Sequence, residues 1–97
     1  MKLHIFDAVH RFLDSISVED SAKIVAHLKS LQDGHTEGLT IKPLKGKIKE
    51  LVVRQYRIIF FFTGDAGYAV AAFKKQSKKT PKRVIEHAEK IYKDIKR

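Results

Sequence analysis

The sequence predicts an α+β fold, in which two N-terminal helices pack on a small antiparallel-rich sheet and a further helix follows at the C-terminus. Three observations lead to this prediction. Two apolar runs, Tyr56–Phe62 and Tyr68–Phe73, flank a short break, which is typical of a central β-hairpin. Apolar residues recur at helical spacing both before and after this hairpin. A chain of 97 residues supports one modest core, so we expect residues 1–97 to form a single domain.

The break within the hairpin reads Thr63-Gly64-Asp65-Ala66-Gly67. Two glycines and an aspartate favour the positive φ angles that a short hairpin loop needs, so the second run should return antiparallel beside the first. The first run is rich in β-branched and aromatic residues, which indicates a strand that is buried on both faces.

The N-terminal region predicts two helices joined by a tight break. Residues 2–6 form either a short first strand or the opening of the first helix, which we place over about residues 7–15. Ser17 is the predicted N-cap of the second helix, which Gly34 ends. The apolar residues that we expect to face the core of this second helix are Ala22, Val25, Leu28 and Leu31.

Two strands and a helix complete the prediction. Residues 41–44 indicate an edge strand, since Pro43 cannot donate a hydrogen bond in the centre of a sheet. A turn at Lys45-Gly46 precedes a strand over residues 47–53. Thr80 as N-cap and Pro81 at the first helical position predict the start of the C-terminal helix, which should pack on the sheet.

The positive charge of the chain is concentrated in two segments. Residues 42–57 and 74–83 contain 12 of the 20 basic residues and one of the 11 acidic residues, Glu50, for a charge of +11. The remainder carries 8 basic and 10 acidic residues, a charge of −2. Such a patch indicates a phosphate-backbone partner; an acidic protein, an anionic membrane surface or a merely solvated surface are the alternatives.

Several site chemistries are excluded by residue type and position. There is no cysteine, and none of the five histidines lies in a basic segment, which argues against thiolate, zinc and histidine-pair sites. The acidic residues are too scattered for a carboxylate-held magnesium ion. We therefore expect no metal and no cofactor, and phosphodiester chemistry would be restricted to RNA, whose 2′-hydroxyl can act as the nucleophile. No segment has the length of a membrane span, and we expect a cytoplasmic protein without membrane association.

Arg57 is the unusual residue of the central strand, because it shares a face with Ile59 and Phe61. Either Lys74 or Lys75 should lie on the same side of the sheet. With Lys47 or Lys49, these cations would bind a phosphate and stabilise a phosphorane-like transition state, or would form a passive binding site. The residues leave both alternatives open.

The order of four motifs resembles the phage-derived, HigB-like branch of the RelE toxin superfamily. These motifs are Leu44-Lys45-Gly46, Lys49-Glu50-Leu51, Tyr56-Arg57-Ile58 and Phe73-Lys74-Lys75-Gln76-Ser77-Lys78-Lys79-Thr80-Pro81. The resemblance implies the toxin of a type II toxin–antitoxin system, a metal-independent mRNA endonuclease that acts in the ribosomal A site and inhibits translation. It also implies a cognate antitoxin, of helix-turn-helix type, in a toxin–antitoxin heteromer.

The resemblance also implies residue roles by position. Arg57 would steady the scissile phosphate, and we count Lys74 and Lys49 with it as predicted catalytic residues. The predicted RNA-binding residues are Lys45, Lys47, Arg54, Lys75, Lys78 and Lys79. The family's usual Glu-Leu-Arg reads Glu50-Leu51-Val52 here, and Arg54, two residues on, is the candidate replacement for the missing arginine.

Two questions stay open: the identity of the general acid and the function of the protein as a whole. The general acid is unassigned, because the tyrosine and histidine near the C-terminus, Tyr92 and His87, lie on a helix that should pack. The alternatives to an endonuclease are a non-catalytic RNA-binding or ribosome-binding protein and a toxin directed at a protein target such as a topoisomerase.

Overall fold

The computed structural model of the chain describes residues 1–96 and shows an α+β fold of five strands and three helices in this range. In chain order the elements are β1 (Lys2–Ile5), α1 (Asp7–Asp14), α2 (Val18–Gln32), β2 (Thr40–Lys45), β3 (Ile48–Val53), β4 (Tyr56–Thr63), β5 (Ala66–Lys74) and α3 (Lys82–Lys96). The strand order is β1-β5-β4-β3-β2, and every neighbouring pair is antiparallel except β1 and β5, which are parallel. The predicted fold class is confirmed.

Strands β4 and β5 form the predicted central hairpin, with a tighter turn than expected. Thr63 pairs with Ala66, so only Gly64 and Asp65 lie between the strands, and Gly64 has a φ of +60°. Gly67 is a strand residue that pairs with Phe62. The predicted five-residue break was therefore too long, because three of its residues, Thr63, Ala66 and Gly67, continue the ladder.

The N-terminal residues form a strand, which decides between the two alternatives left by the sequence. Leu3 pairs with Gly67 of β5, and the backbone N–H of Leu3 donates to the side-chain oxygen of Gln32 at 3.0 Å. The glutamine of α2 thus satisfies a donor of this edge strand. Phe6 then turns the chain into α1, and its backbone N–H donates to the Ala69 carbonyl at 3.0 Å.

Helix α2 has the predicted cap and a different buried face. The Ser17 hydroxyl accepts from the backbone N–H of Asp20 at 3.1 Å, as expected of an N-cap. The buried residues are Ile24, Leu28 and Leu31, whereas the side chain of Val25 is 49% exposed. The predicted stripe was wrong in its first two members, Ala22 and Val25, because the sheet contacts the i, i+4, i+7 row that begins at Ile24.

The sheet is covered on both faces. Helices α1 and α2 lie against one face, whose core includes Leu51, Ile58 and Phe60, and α3 lies against the other, whose core includes Ile59 and Phe61. The four adjacent β4 residues, Ile58 to Phe61, alternate between the two cores and have no exposed surface. Burial on both faces explains why β4 is a continuous apolar run.

Helix α3 begins one residue later than predicted. Its first helical residue is Lys82, and the Pro81 carbonyl accepts from the backbone N–H of Val84 at 3.0 Å. The Thr80 hydroxyl does not cap the helix; it donates to the carboxylate of Glu50 at 2.8 Å. Within residues 1–96, the helices fall short of the length and apolar character that crossing a bilayer requires.

Candidate nucleic-acid interface

A strongly basic surface of the fold is built around residues 75–81, the segment between β5 and α3, which we call the basic loop. The backbone N–H of Lys75 donates to the Gln55 carbonyl in the β3–β4 turn at 2.7 Å. Within the loop, the Ser77 hydroxyl donates to the Lys79 carbonyl at 2.8 Å. At its far end, Thr80 donates to Glu50 of β3. The loop is therefore held at both ends against the same strand pair.

A groove with a volume of about 280 Å³ lies between the basic loop and strand β2. We call it the lysine groove. Its lining includes Lys42, Lys75, Lys78 and Lys79, with Glu50 as its one acidic residue. Lys42 reaches this groove because it pairs with Glu50 across β2 and β3, which places both side chains on the α3 face of the sheet. Four cations on one concavity suit the phosphates of a nucleic-acid backbone.

A second cleft, of about 400 Å³, lies on the other side of the basic loop. Its basic lining residues are Lys74, Lys75, Lys79 and Arg83, and Phe12 contributes an aromatic ring. Because Lys75 and Lys79 border both cavities, the basic loop forms a ridge between two positively charged depressions. A strand that crosses this ridge would contact lysines on both sides.

A buried ion pair lies beneath the lysine groove. Arg57 is 9% exposed and Glu50 is 4% exposed, and the Arg57 Nε atom is 3.6 Å from Glu50 Oε1. One terminal nitrogen of the guanidinium donates to the carbonyls of Arg54 at 2.7 Å and Tyr56 at 2.8 Å. The Nε atom has no hydrogen-bond partner among residues 1–96. Arg57 is thus held in place by the protein and is largely withdrawn from solvent.

The three predicted catalytic residues lie on two different faces of the sheet. Arg57 pairs with Phe73, so Lys74, which pairs with Tyr56, lies on the opposite face, and Lys75 adjoins the groove on the Arg57 side. Lys49 pairs with Phe60 and also lies on the opposite face from Arg57, with its Nζ atom 5.9 Å from the centroid of the Phe62 ring. The structure does not bring these three side chains into one cluster, and their roles stay predictions.

Of the predicted RNA-binding residues, the structure brings Lys75, Lys78 and Lys79 together. The other three lie elsewhere. Lys45 is 3.5 Å from Glu89 of α3, and Lys47 is exposed in the turn between β2 and β3. Arg54 lies in the β3–β4 turn with a φ of +56°, and its guanidinium is 3.6 Å from Asp20. Strand β3 ends at Val53, so the strand alternation that would give Arg54 the face of Val52 does not extend to it.

Three residues of the interface were missed as site residues: Lys42, Glu50 and Thr80. Lys42 belongs to the first basic segment, and its charge was the available signal. Glu50 is the one acidic residue within the two basic segments, which is itself a signal for an ion pair. Thr80 was predicted to cap α3, because a threonine before a proline is typical of a helix N-terminus.

A second polar contact lies on the α2 face of the same strand pair. The Tyr56 hydroxyl donates to Asp20 Oδ2 of α2 at 2.6 Å. This hydrogen bond raises the pKa of Tyr56 above its ordinary value of 10.0; burial and the negative charge of Asp20 act in the same direction, and Arg54 opposes them. The contact ties α2 to the strand that carries Arg57.

The candidates for a general acid lie away from the lysine groove lining. The Tyr92 ring packs edge-on against Phe61 with 5.2 Å between ring centroids, and His87 is exposed on α3. Neither residue lines the groove or the second cleft. Among residues 1–96, no group of three or more histidine, cysteine, aspartate or glutamate side chains is arranged to hold a metal ion.

These features define a class: small α+β proteins with a sheet covered on both faces and a lysine-lined groove suited to phosphates. The phage-derived Gp49-like protein family matches residues 11–93 of the chain. Two curated relatives from two strains of Mycobacterium tuberculosis, each described as "Probable endoribonuclease HigB1", are 32% identical over 87 residues. The matches cover 82% of this chain and 70% of each relative. The chain belongs to this Gp49-like family, the HigB-like branch of the RelE toxin superfamily, and the predicted resemblance is confirmed.

Proposed function

We propose that this chain is the toxin of a type II toxin–antitoxin pair and acts as a ribosome-dependent, metal-independent mRNA endonuclease that inhibits translation. The observation that carries the proposal is the lysine groove, in which Lys42, Lys75, Lys78 and Lys79 line one concavity over the buried Glu50–Arg57 pair. Membership of the HigB-like family supports it, since the relatives are described as endoribonucleases.

The proposed chemistry uses the substrate's own 2′-hydroxyl as the nucleophile. Attack of this oxygen on the adjacent phosphorus forms a 2′,3′-cyclic phosphate and breaks the bond to the 5′-oxygen, with added negative charge in the transition state. The 2′-hydroxyl loses its proton to solvent, and the 5′-oxygen takes up a proton from solvent and leaves as a hydroxyl. Lysine ammonium groups at the groove would be aimed at this charge, and such pre-arranged cations are worth several powers of ten in rate in other enzymes. Arg57 would contribute positive potential from beneath the groove.

The proposed path of the RNA backbone crosses the basic loop. Phosphates on one side would contact Lys78 in the lysine groove, and those on the other side would contact Lys74 and Arg83 in the second cleft. In this scheme Lys74 binds RNA next to the scissile site. Lys49, which lies along Phe62 on the opposite face from the groove, would contact a more distant part of the ribosome-bound complex.

The proposed partners are a cognate antitoxin of helix-turn-helix type, in a toxin–antitoxin heteromer, and the ribosome with its mRNA in the cytoplasm. Toxins of the HigB family pair with antitoxins, which supports the first partner. The concentrated positive charge of the two basic segments supports a partner with a phosphate backbone.

The test is primer extension on mRNA from translating cells that briefly express the chain. The variant Lys78→Gln/Lys79→Gln removes two exposed groove cations, and Lys90→Gln/Lys93→Gln removes two exposed cations from α3 as the matched control. We expect cuts within translated codons for wild type and control, and at least about tenfold fewer for the groove variant, the effect of losing roughly 1.4 kcal/mol of interaction.

The other outcomes separate the alternatives. Equal cutting by both double variants would contradict the role of the groove. RNA that is bound but left whole would indicate a non-catalytic RNA-binding or ribosome-binding protein. Growth arrest with intact mRNA and inhibited DNA supercoiling would point to a topoisomerase target. Cutting of naked RNA at the same sites would contradict ribosome dependence.

A further inference from the structure

Glu50 joins three separate parts of the chain under the lysine groove. It belongs to β3, its Oε1 atom accepts from the Thr80 hydroxyl at the end of the basic loop, and the same atom lies 3.6 Å from Nε of Arg57 on β4. Glu50 is also the one acidic residue in the groove lining. A single carboxylate oxygen therefore connects the sheet, the buried cation and the loop that carries the lysines.

Stability alone does not explain this arrangement. Burying a glutamate and an arginine costs desolvation energy that their attraction repays only in part, and an apolar pair of similar volume is often as stable. The geometry of the pair is not that of an optimised salt bridge either, since Arg57 Nε is too far from Glu50 to share a hydrogen bond with it. The short contact of Glu50 is the one to the loop, at 2.8 Å.

The basic loop needs such an anchor. It carries Lys75, Lys78 and Lys79, whose like charges repel one another, and it has few apolar side chains that would hold it to the core. The Thr80 hydroxyl is available for this contact because it does not cap α3. The first backbone hydrogen bond at the start of that helix runs from the Val84 N–H to the Pro81 carbonyl and does not involve Thr80. A hydrogen bond to an ionised group is roughly twice as strong as a neutral one.

We propose that Glu50 and Thr80 are positioning residues that hold the basic loop over Arg57, so that the loop lysines face one groove. The inference deepens the proposed function, and its consequence for RNA cleavage rests on that function. Without the Thr80–Glu50 contact, the loop lysines would occupy many positions, and each RNA molecule would have to order them on binding. The cleavage rate on ribosome-bound mRNA would then fall while the fold remains.

The first test measures the position of the loop without any RNA. Trypsin cleaves after lysine, so the rate of cleavage after Lys75, Lys78 and Lys79 in the native protein reports how often the loop leaves the sheet. We expect Thr80→Val to raise this rate about tenfold, the equilibrium effect of one lost hydrogen bond to a charged group. Thr80→Ser should keep the wild-type rate, and Thr40→Val on the exposed β2 edge is the matched control.

Urea unfolding of the same proteins separates local from global opening. Global unfolding also breaks the Thr80–Glu50 bond, so we expect Thr80→Val to lower the folding equilibrium constant by up to about tenfold and Thr40→Val to leave it near the wild-type value. Equal tryptic rates for wild type and Thr80→Val would overturn the proposal. Cleavage of the three loop sites only as fast as sites within the helices and strands would also overturn it, because the loop would then open only when the whole chain unfolds.

The second test links position to activity. On ribosome-bound mRNA, Thr80→Val should cleave about tenfold more slowly, and Thr80→Ser should restore the rate. Glu50→Gln removes the negative charge but keeps a side-chain oxygen that can accept from Thr80, whereas Glu50→Ala removes both. The basic loop should therefore be cleaved by trypsin more slowly in Glu50→Gln than in Glu50→Ala. If the wild type cleaves mRNA and Thr80→Val cleaves it equally fast, the positioning role is contradicted and the endonuclease stands. If the wild type does not cleave mRNA but the loop of Thr80→Val is more sensitive to trypsin, the endonuclease is contradicted and the positioning role stands.

Discussion

At the scale of single residues, Arg57 is a predicted site residue whose observed contacts are structural. Its guanidinium donates to two backbone carbonyls and lies beside the Glu50 carboxylate, and the residue is 9% exposed. An arginine at the start of an apolar strand is compatible with a solvent-facing charge or a buried one. Here it is buried beside Glu50, which lines the lysine groove, so any effect of Arg57 on RNA would come from below the groove.

We predict that Arg57→Ala destabilises the fold by about 3 kcal/mol, because it leaves the buried Glu50 charge without its partner. Urea unfolding at neutral pH measures this loss. The double variant Glu50→Leu/Arg57→Leu removes both charges and should be markedly more stable than Arg57→Ala. If Arg57→Ala alone unfolds like wild type, the ion pair is not structural, and a loss of toxicity in that variant would report chemistry directly.

A second residue-scale prediction concerns alkaline pH. The pKa of Tyr56 is raised in the fold, chiefly by its hydrogen bond to Asp20, so the protonated phenol is favoured more in the folded than in the unfolded state. The stability from this contact is fully present below the ordinary pKa of 10.0 and is lost as pH rises through the higher folded pKa.

Tyr56→Phe should therefore lower the urea midpoint by a constant amount from neutral pH to about pH 10, the unperturbed tyrosine pKa. The difference between the two proteins should shrink at higher pH. Asp20→Asn in place of Tyr56→Phe tests the same contact from the other side. A difference that grows with alkaline pH would show that the sign of the coupling is wrong.

At the scale of elements, the hairpin of β4 and β5 is the structural centre, since each of its strands pairs with a further strand of the sheet. Gly67 shows how closely its neighbours approach. A Cβ atom at this position would lie 2.9 Å from ring atoms of Phe62 and 3.0 Å from Leu3 Cδ1. The parallel pairing of β1 with β5 depends on this small residue.

We predict that Gly67→Ala costs about 2 kcal/mol through overpacking, which thermal or urea unfolding will show. Phe62→Leu in the same chain removes the ring atoms that the new methyl group would meet, so the double variant should recover part of the loss. If the stability losses of Gly67→Ala and Phe62→Leu simply add in the double variant, the Phe62 ring moves aside freely and packing does not require Gly67.

At the scale of the whole molecule, the positive charge is unevenly placed. Twelve of the 20 basic residues lie in two segments, and six of these twelve line the lysine groove or the second cleft: Lys42, Lys74, Lys75, Lys78, Lys79 and Arg83. Some of these cations are used internally, as in the pairs Lys45–Glu89 and Arg54–Asp20. The lysines that remain open around the loop are the ones that should dominate RNA binding.

We predict a strong salt dependence of binding to single-stranded RNA, measured by fluorescence anisotropy between about 50 and 200 mM salt. Each phosphate contact contributes about 0.7 to the slope of the logarithm of the binding constant against the logarithm of salt concentration. Lys78→Gln/Lys79→Gln should therefore reduce the slope by about 1.4, and Lys90→Gln/Lys93→Gln should leave it unchanged. Equal slopes in both variants would place the RNA elsewhere.

Features that depend on neighbouring residues could be predicted from the sequence. The Ser17 cap needs only the N–H three residues on, and the hairpin needs only a turn between two apolar runs. The motif order also sufficed for the family, which the comparisons confirm. The basic loop lysines were identified from their clustering and from the family-like motif that contains them, and their roles are still predictions.

The tertiary structure decided whatever depends on residues distant in the chain. The contacts Leu3–Gln32, Glu50–Thr80 and Asp20–Tyr56 join residues 29, 30 and 36 positions apart. Lys2–Ile5 form a strand because they pair with β5 at its free edge. Helix α2 buries the row of residues that faces the sheet, and the Thr80 hydroxyl donates to Glu50 and does not cap α3. Each of these outcomes depends on contacts between residues distant in the chain, so the free energy of packing and of buried hydrogen bonds selects it over what local propensity favours.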